Sequence, residues 1–148
     1  MILPYNDEFF MKQAYAEAQK AFELGEVPVG AVVVIKNQII ARCHNFTEQL
    51  TDVTAHAEMQ AITAAAEYLG GKYLSDCTIY ITLEPCVMCA GALYWSQVHK
   101  IVYGASDPKR GAGRFGNQLY HPKTTLQSGI MEQECGELIT KFFESKRK

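Results

Sequence analysis

The spacing of apolar residues along the chain predicts helices and strands that nearly alternate. From Phe10 to Phe22 an apolar residue recurs at every fourth position, which is typical of an amphipathic helix with one buried face. Asn6 is suited to cap this helix at its start, and Gly25 follows Leu24 at its end. We therefore predict a first helix from Asn6 to Leu24.

Two strands are predicted next, and they are close enough in sequence to form a hairpin. A nearly continuous β-branched run covers Val29 to Ile35, and a second apolar stretch covers Gln38 to Cys43. Lys36 and Asn37 between them suit a tight turn, because Asn tolerates the positive φ that such a turn requires. The first run hardly alternates, so we expect its strand to be covered on both faces.

The rest of the chain continues the alternation of helix and strand. Proline suits the first position of a helix, where its missing N–H costs no hydrogen bond, and we place Pro85 there. The predicted elements after the hairpin are a helix from about Val53 to Leu69, a strand from Cys77 to Thr82, a helix from Pro85 to about Ser96, a strand from Lys100 to Gly104, a Gly-rich connection from Ala105 to His121, a strand from Thr124 to Ser128 and a helix from about Met131 to Ser145. This order predicts one domain over residues 1–148, an α/β fold whose three-layer α/β/α sandwich surrounds a mixed sheet of about five strands.

Composition narrows the picture mainly by exclusion. The 148 residues are 48% hydrophobic and 20% charged, which is typical of a globular protein and not of a disordered or fibrous one. No apolar run approaches the roughly 20 residues of a membrane span, and the first residues lack the features of a signal peptide. Five cysteines, an odd number, fit a reducing compartment, so we predict a cytoplasmic location.

Charge is unevenly distributed along the chain. Residues 1–100 contain six Lys/Arg against eleven Asp/Glu, whereas residues 101–148 contain eight against five, and the formal net charge is −2. A local basic region can bind phosphates even in an acidic protein. Charge by itself nevertheless favours an ordinary solvated surface, including at the Lys146–Lys148 tail.

Two short stretches contain residues that suit metal chemistry. Thr54–Glu58 provides an imidazole at His56 and a carboxylate at Glu58, and Leu83–Cys89 provides two thiols three residues apart. One His and two Cys suit Zn²⁺ and leave a fourth position for water, which is the arrangement of a catalytic zinc site. Glu58 would then act as the acid/base beside that water.

Helix geometry sets a condition on this site. Residues two apart on a helix lie roughly 200° apart around its axis, so His56 and Glu58 converge only if the start of their helix abuts the cleft. Cys86 and Cys89 share a helix face, and the positive end of a helix favours thiolate. The other cysteines, Cys43, Cys77 and Cys135, are predicted to be small core residues.

The order H-x-E followed by P-C-x-x-C matches the known signature of the cytidine-deaminase-like zinc deaminases. Further strings resemble the bacterial tRNA-specific adenosine deaminases: Glu26–Ala31, Thr54–Glu58, Leu83–Gly91 and Tyr103–Ala105. The resemblance covers roughly residues 8–111 well and the last helix loosely. Ser106, where that family often has a basic residue, and the stretch Ala112–Ser128 depart from the pattern.

The resemblance implies hydrolytic deamination of adenosine to inosine in tRNA, at the wobble position of the anticodon stem-loop, by a homodimer with one Zn²⁺ per chain. It assigns the metal to His56, Cys86 and Cys89 and the catalytic proton transfers to Glu58. The residues implied in substrate binding are Asn45, the Ala57 backbone, Glu84 and Asp107. Those suggested for RNA contact are Lys109, Arg110, Arg114, Phe143 and Lys146, with Phe142 and Phe143 divided between the core and the surface.

Two other functions remain open at the level of sequence. The same zinc chemistry would serve a deaminase of a free base or nucleoside, such as guanine, cytosine or cytidine. A zinc-stabilised binding module without catalysis is the second alternative, but it needs neither Glu58 nor an open fourth position. Zinc peptidases typically use an HExxH helix, which the chain does not contain.

Overall fold

The computed structural model describes residues 5–146. Helices and strands alternate as predicted, after an initial helix and a hairpin. Their bounds are α1 Asp7–Glu23, β1 Gly30–Ile35, β2 Gln38–His44, α2 Ala57–Leu69, β3 Thr78–Leu83, α3 Val87–Ser96, β4 Lys100–Ala105, β5 Thr125–Gln127 and α4 Glu132–Lys146, with a short 3-10 helix at Ala112–Phe115. No helix in this described range is long and apolar enough to cross a membrane.

The five strands form one mixed sheet in the order β2-β1-β3-β4-β5. β1 pairs antiparallel with both β2 and β3, whereas β3, β4 and β5 run parallel to one another. The hairpin turn has φ values of 49° at Lys36 and 62° at Asn37, so the predicted positive φ is present. The predicted mixed five-stranded sheet is confirmed.

Helices cover both faces of the sheet. α1 and α4 lie on one face, where Val32 and Val34 pack with Phe10 and Cys135. α2 and α3 lie on the other, where Val33 belongs to a cluster with residues of both helices. The first five residues of β1 are buried, which confirms the strand covered on both faces and the three-layer α/β/α sandwich.

The first helix packs very closely on β1. The Asn6 side chain accepts a hydrogen bond of 2.8 Å from the Phe9 N–H, which confirms the prediction that Asn6 is the N-cap of α1. At the start of β1, a Cβ on Gly30 would lie 2.0 Å from the carbonyl oxygen of Ala14. The backbones of helix and strand are therefore in contact at Gly30, with no space for a side chain.

Two predicted helix starts are wrong. α2 begins at Ala57 and not at Val53, because Asp52 accepts hydrogen bonds from the Thr54 N–H at 2.8 Å and its hydroxyl at 2.7 Å, which holds this segment in a turn. α3 begins at Val87, so Pro85 precedes the N-cap and does not occupy the first helical position. The effect is to place a predicted ligand at each N-cap.

Candidate metal and catalytic centre

The centre lies at one edge of the sheet, where three strands end. β2 and β3 both run antiparallel to β1, and β4 runs parallel to β3, so their carboxyl ends meet at the same edge. The N–H of Glu84, just past β3, donates to the carbonyl of Ala105 at the end of β4 at 2.8 Å. α2 and α3 both start at this edge, which is where open α/β sheets place their binding sites.

The structure brings His56, Cys86 and Cys89 together. Their donor atoms lie within 4.8 Å of one another. Nδ1 of His56 is 3.6 Å from Sγ of Cys86 and 3.5 Å from Sγ of Cys89. A tetrahedral Zn²⁺ at ~2.3 Å from sulfur and ~2.0 Å from nitrogen would separate such atoms by roughly 3.6 Å. The three side chains therefore fit the dimensions of a zinc site.

The condition set by helix geometry is met by the late start of α2. His56 is the N-cap with extended backbone, φ −70° and ψ 156°, and Glu58 is the second helical residue. Because His56 does not lie on the helix, the two side chains need not point 200° apart. Cys86 is likewise the extended N-cap of α3, and neither His56 nor Cys86 makes a side-chain capping hydrogen bond.

Hydrogen bonds and burial perturb the acidities at the centre. The pKa of the Cys86 thiol is lowered to about 4, first by its hydrogen bond with Cys89 and also by His56, so its sulfur is a thiolate at neutral pH. The same pairing, together with burial, raises the pKa of Cys89. Thiolates are the form in which cysteine binds metal, so the donor set suits a soft or borderline cation.

Glu58 is a buried carboxyl beside these ligands. Its exposed fraction is 4%, and burial raises its pKa to about 7. The charges of Cys86 and His56 also act on this carboxyl. A carboxyl in this environment can hold or release a proton near neutral pH, as a general acid or base must.

Asn45 and Ala57, both predicted to contact substrate, are buried near the start of α2. The Asn45 amide donates to the carbonyl of Val27 at 3.4 Å, and its oxygen accepts from the Thr47 N–H at 3.3 Å. The side chain therefore shapes the loop after β2. Its contact with substrate stays a prediction, as does that of the Ala57 backbone.

Glu26 is a buried residue to which sequence patterns gave no function. Its carboxylate accepts hydrogen bonds from the N–H groups of Glu48 at 3.0 Å and Gln49 at 2.8 Å, and from the Thr47 hydroxyl at 3.4 Å. It thus holds the loop after Asn45. In the sequence, Glu26 lies in a short connector, where a glutamate is normally solvated. The only sequence signal for Glu26 was its place in the stretch Glu26–Ala31, which resembles the deaminase family.

Glu84 and Asp107 meet at the end of the sheet. Oε1 of Glu84 accepts from the Asp107 N–H and Oε2 accepts from the Gly113 N–H, both at 2.8 Å. The Asp107 carboxylate accepts from the N–H groups of Lys109 at 3.2 Å and Arg110 at 3.1 Å, which closes a turn. The contact of either side chain with substrate stays a prediction.

The residues suggested for RNA contact lie on two elements. Lys109, Arg110 and Arg114 are exposed on the segment after β4, and an Arg114 guanidinium N–H donates to the carbonyl of Lys109 at 2.6 Å. On α4, Phe142 is buried and Phe143 is 40% exposed, which confirms that one belongs to the core. Lys146 is exposed at the end of α4, and residues 147–148 of the basic tail lie outside the described range.

Tyr120 is a second residue that sequence patterns did not single out. It is buried, and its hydroxyl has no hydrogen-bond partner among residues 5–146. Burial raises its pKa, and the charges of Glu84 and Glu58 contribute. The ring packs in the hydrophobic cluster that α2 and α3 cover. From the sequence, Tyr120 therefore could not be distinguished from an ordinary aromatic residue of the core.

Comparison with known proteins agrees with this centre. Residues 5–147 match the MafB19-like deaminase family. A tRNA-specific adenosine deaminase from Bacillus subtilis is 48% identical, covering 96% of this chain and 91% of that protein.

Solved structures also match. One, from a study of A-to-I editing by tRNA:A34 deaminases at the wobble position of transfer RNA, has a TM-score of 0.82 and 43% identity, covering 87% of this chain and 97% of that one. A guanine deaminase from Bacillus subtilis has a TM-score of 0.67 and 39% identity, covering 75% of this chain and 70% of that one.

Proposed function

The chain belongs to the MafB19-like deaminase family, as a relative of the tRNA-specific adenosine deaminases, and from this membership we propose that it deaminates adenosine to inosine in tRNA. The reaction consumes one water and releases one ammonia for each adenosine. The proposed site is the wobble position of the anticodon, as for the structural relative that acts on A34. Because its substrate is tRNA, we place the activity in the cytoplasm.

One observation supports the deaminase chemistry above the others. His56, Cys86 and Cys89 form a three-ligand donor set with zinc-like spacing, and the buried carboxyl of Glu58 lies beside it. We propose these three residues as the ligands of one Zn²⁺ per chain. When bound, the ion would supply a Lewis acid that lowers the pKa of a water from about 15.7 towards about 7. A closed structural site would have had a fourth protein ligand in place of that water.

Glu58 is the proposed catalytic residue. Its carboxylate would accept a proton from the attacking water and deliver it to the ring nitrogen beside C6 of adenine. The bond from C6 to oxygen forms, and Glu58 would carry the remaining proton of that oxygen to the exocyclic amine. The bond from C6 to nitrogen then breaks, which releases ammonia and leaves the C6=O group of inosine. Burial of Glu58 keeps solvent from competing for these protons.

The base would be bound between the loop after β2 and the segment after β4. We propose that Asn45 and the Ala57 backbone bind the flipped-out nucleoside and that Asp107 orients the flanking nucleotides. Glu84, which the resemblance also assigns to substrate binding, accepts the backbone N–H groups of Asp107 and Gly113 in the structure. For the phosphates we propose the exposed cations Lys109, Arg110, Arg114 and Lys146. For stacking on a base we propose the exposed ring of Phe143 on α4.

We propose that the functional unit is a homodimer in which a second copy covers the outer face of α3. Trp95 is 77% exposed and Val87 is 47% exposed on this short helix, and Tyr94 packs edge-on against Trp95 with ring centroids 5.5 Å apart. A mostly apolar helix exposed on one side is typical of an oligomer interface. Because Cys86 is the N-cap of α3, such an interface would adjoin the metal centre.

The test is incubation of the zinc-loaded protein with an anticodon stem-loop that contains a wobble adenosine, followed by nucleoside analysis. We expect inosine from the wild type and a loss of at least about 100-fold in turnover for Glu58→Ala, with zinc retained. An active, zinc-loaded Glu58→Ala protein would contradict the assignment of Glu58.

A free-base deaminase is the second candidate, favoured by the similarity to the guanine deaminase of Bacillus subtilis. Guanine, cytosine and cytidine are therefore tested in parallel for ammonia release. Ammonia from one of these, without inosine from the stem-loop, would replace the leading proposal.

A further inference from the structure

We propose that Glu84 is a positioning residue that holds the segment 107–113 against the metal centre, and that it acts through this segment without touching the base. We name the segment 107–113 the Asp107 loop. This inference departs from a direct contact between Glu84 and the substrate. Its kinetic consequence depends on the proposed deaminase function, whereas its structural part does not.

The carboxylate of Glu84 is fully engaged by the backbone of the Asp107 loop. The residue is 8% exposed, and its two oxygens each accept an N–H at 2.8 Å, one from Asp107 and one from Gly113. A buried carboxylate is costly unless it is paired, and bonds to a charged acceptor are about twice as strong as neutral ones. The loop therefore provides hydrogen-bond donors for both oxygens of the buried Glu84 side chain.

Two glycines permit this close approach. A Cβ on Gly111 would lie 2.4 Å from Cδ of Glu84, and one on Gly113 would lie 2.6 Å from Oε2. Real Cβ atoms do not come so close to other heavy atoms, so either substitution must displace the carboxylate or the loop. Contact with Glu84 thus explains two of the three glycines of the Gly-rich connection, Gly111 and Gly113.

Backbone contacts also join the Asp107 loop to Cys86, a proposed metal ligand. Gly111 forms an antiparallel bridge with Cys86, and the Ala112 N–H donates to the carbonyl of Pro85 at 2.9 Å. The loop thus lies along the three residues Glu84, Pro85 and Cys86 that lead into α3. Glu84 fixes both ends of this alignment, at Asp107 and at Gly113.

The loop contains residues proposed to bind the RNA. Asp107 closes the turn before Lys109 and Arg110, and both cations are exposed. Without Glu84, the loop would have to be ordered on each binding event, and this entropic cost would weaken substrate binding. A positioning role therefore predicts a larger effect on KM than on kcat.

The test uses one substitution on each side of the contact. Glu84→Gln preserves the shape of the side chain but places an NH₂ group, which cannot accept a hydrogen bond, opposite one of the two backbone N–H groups. Gly111→Ala adds a Cβ that would overlap with the Glu84 side chain. We expect both to raise KM for the anticodon stem-loop about tenfold, as the loss of one charge-assisted bond would. kcat should change by less than about threefold, with one zinc per chain retained.

A second readout requires no activity. Trypsin cleaves after Lys109 and Arg110, and we expect both variants to be cut at these sites at least about tenfold faster than the wild type. Glu67→Gln on the exposed surface of α2 and Gly71→Ala, whose Cβ would meet nothing within 4 Å, are the matched controls. Both controls should leave cleavage and kinetics unchanged.

Direct contact with the base predicts a different result. A fall in kcat with unchanged tryptic cleavage of Glu84→Gln would overturn the proposal. In the wild type, the amide protons of Asp107 and Gly113 should exchange slowly, and fast exchange at either would also overturn it. These structural readouts still decide the inference if the wild type forms no inosine, in which case only the proposed function fails.

Discussion

Gly30 shows how strictly single residues limit the approach of α1 to the sheet. Beyond the carbonyl of Ala14, a Cβ at this position would lie 2.5 Å from the backbone nitrogen of Ala18 and 2.8 Å from Cβ of Glu17. The Gly30 N–H is also satisfied inside the protein, by the Thr82 hydroxyl at 3.1 Å. Because most of these neighbours are backbone atoms, they cannot move aside by changing a rotamer.

We expect Gly30→Ala to lower the free energy of unfolding by about 3 kcal/mol, since overpacking against the backbone forces α1 away from β1. Urea unfolding followed by circular dichroism measures this change. Gly71→Ala, in open space, is the matched control and should change stability by less than about 0.5 kcal/mol. Equal stability of Gly30→Ala and the wild type would show that the layers are less closely packed than described.

At the scale of elements, the two helices of the centre begin in an unusual way. N-caps are normally Ser, Thr, Asp or Asn, whose side chains bond to the first backbone N–H groups. The N-caps of α2 and α3 are instead His56 and Cys86, and neither makes such a bond. The side chains that would have capped these helices are directed at each other, so the proposed metal would stabilise two helix starts at once.

Metal removal should therefore loosen the starts of α2 and α3 before the rest of the fold. At a zinc concentration about 1,000 times Kd, binding contributes roughly 4 kcal/mol, which corresponds to a fall in Tm of about 10 °C on removal. When amide hydrogen exchange is measured with and without a chelator, the exchange rate should increase first at residues 56–60 and 86–90. A chelated protein, shown to be free of zinc, with unchanged Tm would contradict this coupling.

At the scale of the whole molecule, the sheet separates two different surfaces. Two long helices, α1 and α4, cover one face, where Leu24 is 49% and Phe143 is 40% exposed, whereas Trp95 on the short helix α3 of the other face is 77% exposed. Exposed apolar residues occur singly on most proteins, but Trp95 and Val87 lie on the same helix as Cys89. This asymmetry supports the proposed second copy on the α3 side.

We expect the wild type to be a dimer at micromolar concentration and Trp95→Lys to be a folded monomer, because a charge at the centre of an apolar interface is costly. Sedimentation velocity measures both masses. Leu24→Lys changes an apolar residue that is 49% exposed at the end of α1, on the opposite side of the sheet, and should remain a dimer. A monomeric wild type would refute the dimer proposal.

Much of this protein was predictable from its sequence, because periodicity and residue chemistry are local properties. We expected an apolar residue at every fourth position of α1, a buried β-branched strand at β1 and a positive φ at Asn37, and all three are present. The donor set of His56, Cys86 and Cys89 was also predictable, since ligand chemistry depends on residue type. The family followed from the same short motifs and is confirmed by comparison.

Tertiary structure decided what depends on residues distant in sequence. The meeting of His56 with Cys86 and Cys89 joins residues at least 30 positions apart in the sequence, and it depends on the sheet edge at which α2 and α3 both start. In the sequence alone, buried carboxylates such as Glu26 and Glu84 cannot be told from solvated ones, because their hydrogen-bond partners lie more than 20 residues away. The sequence by itself thus determined which chemistry is available, whereas the packing of distant loops decided where that chemistry is held.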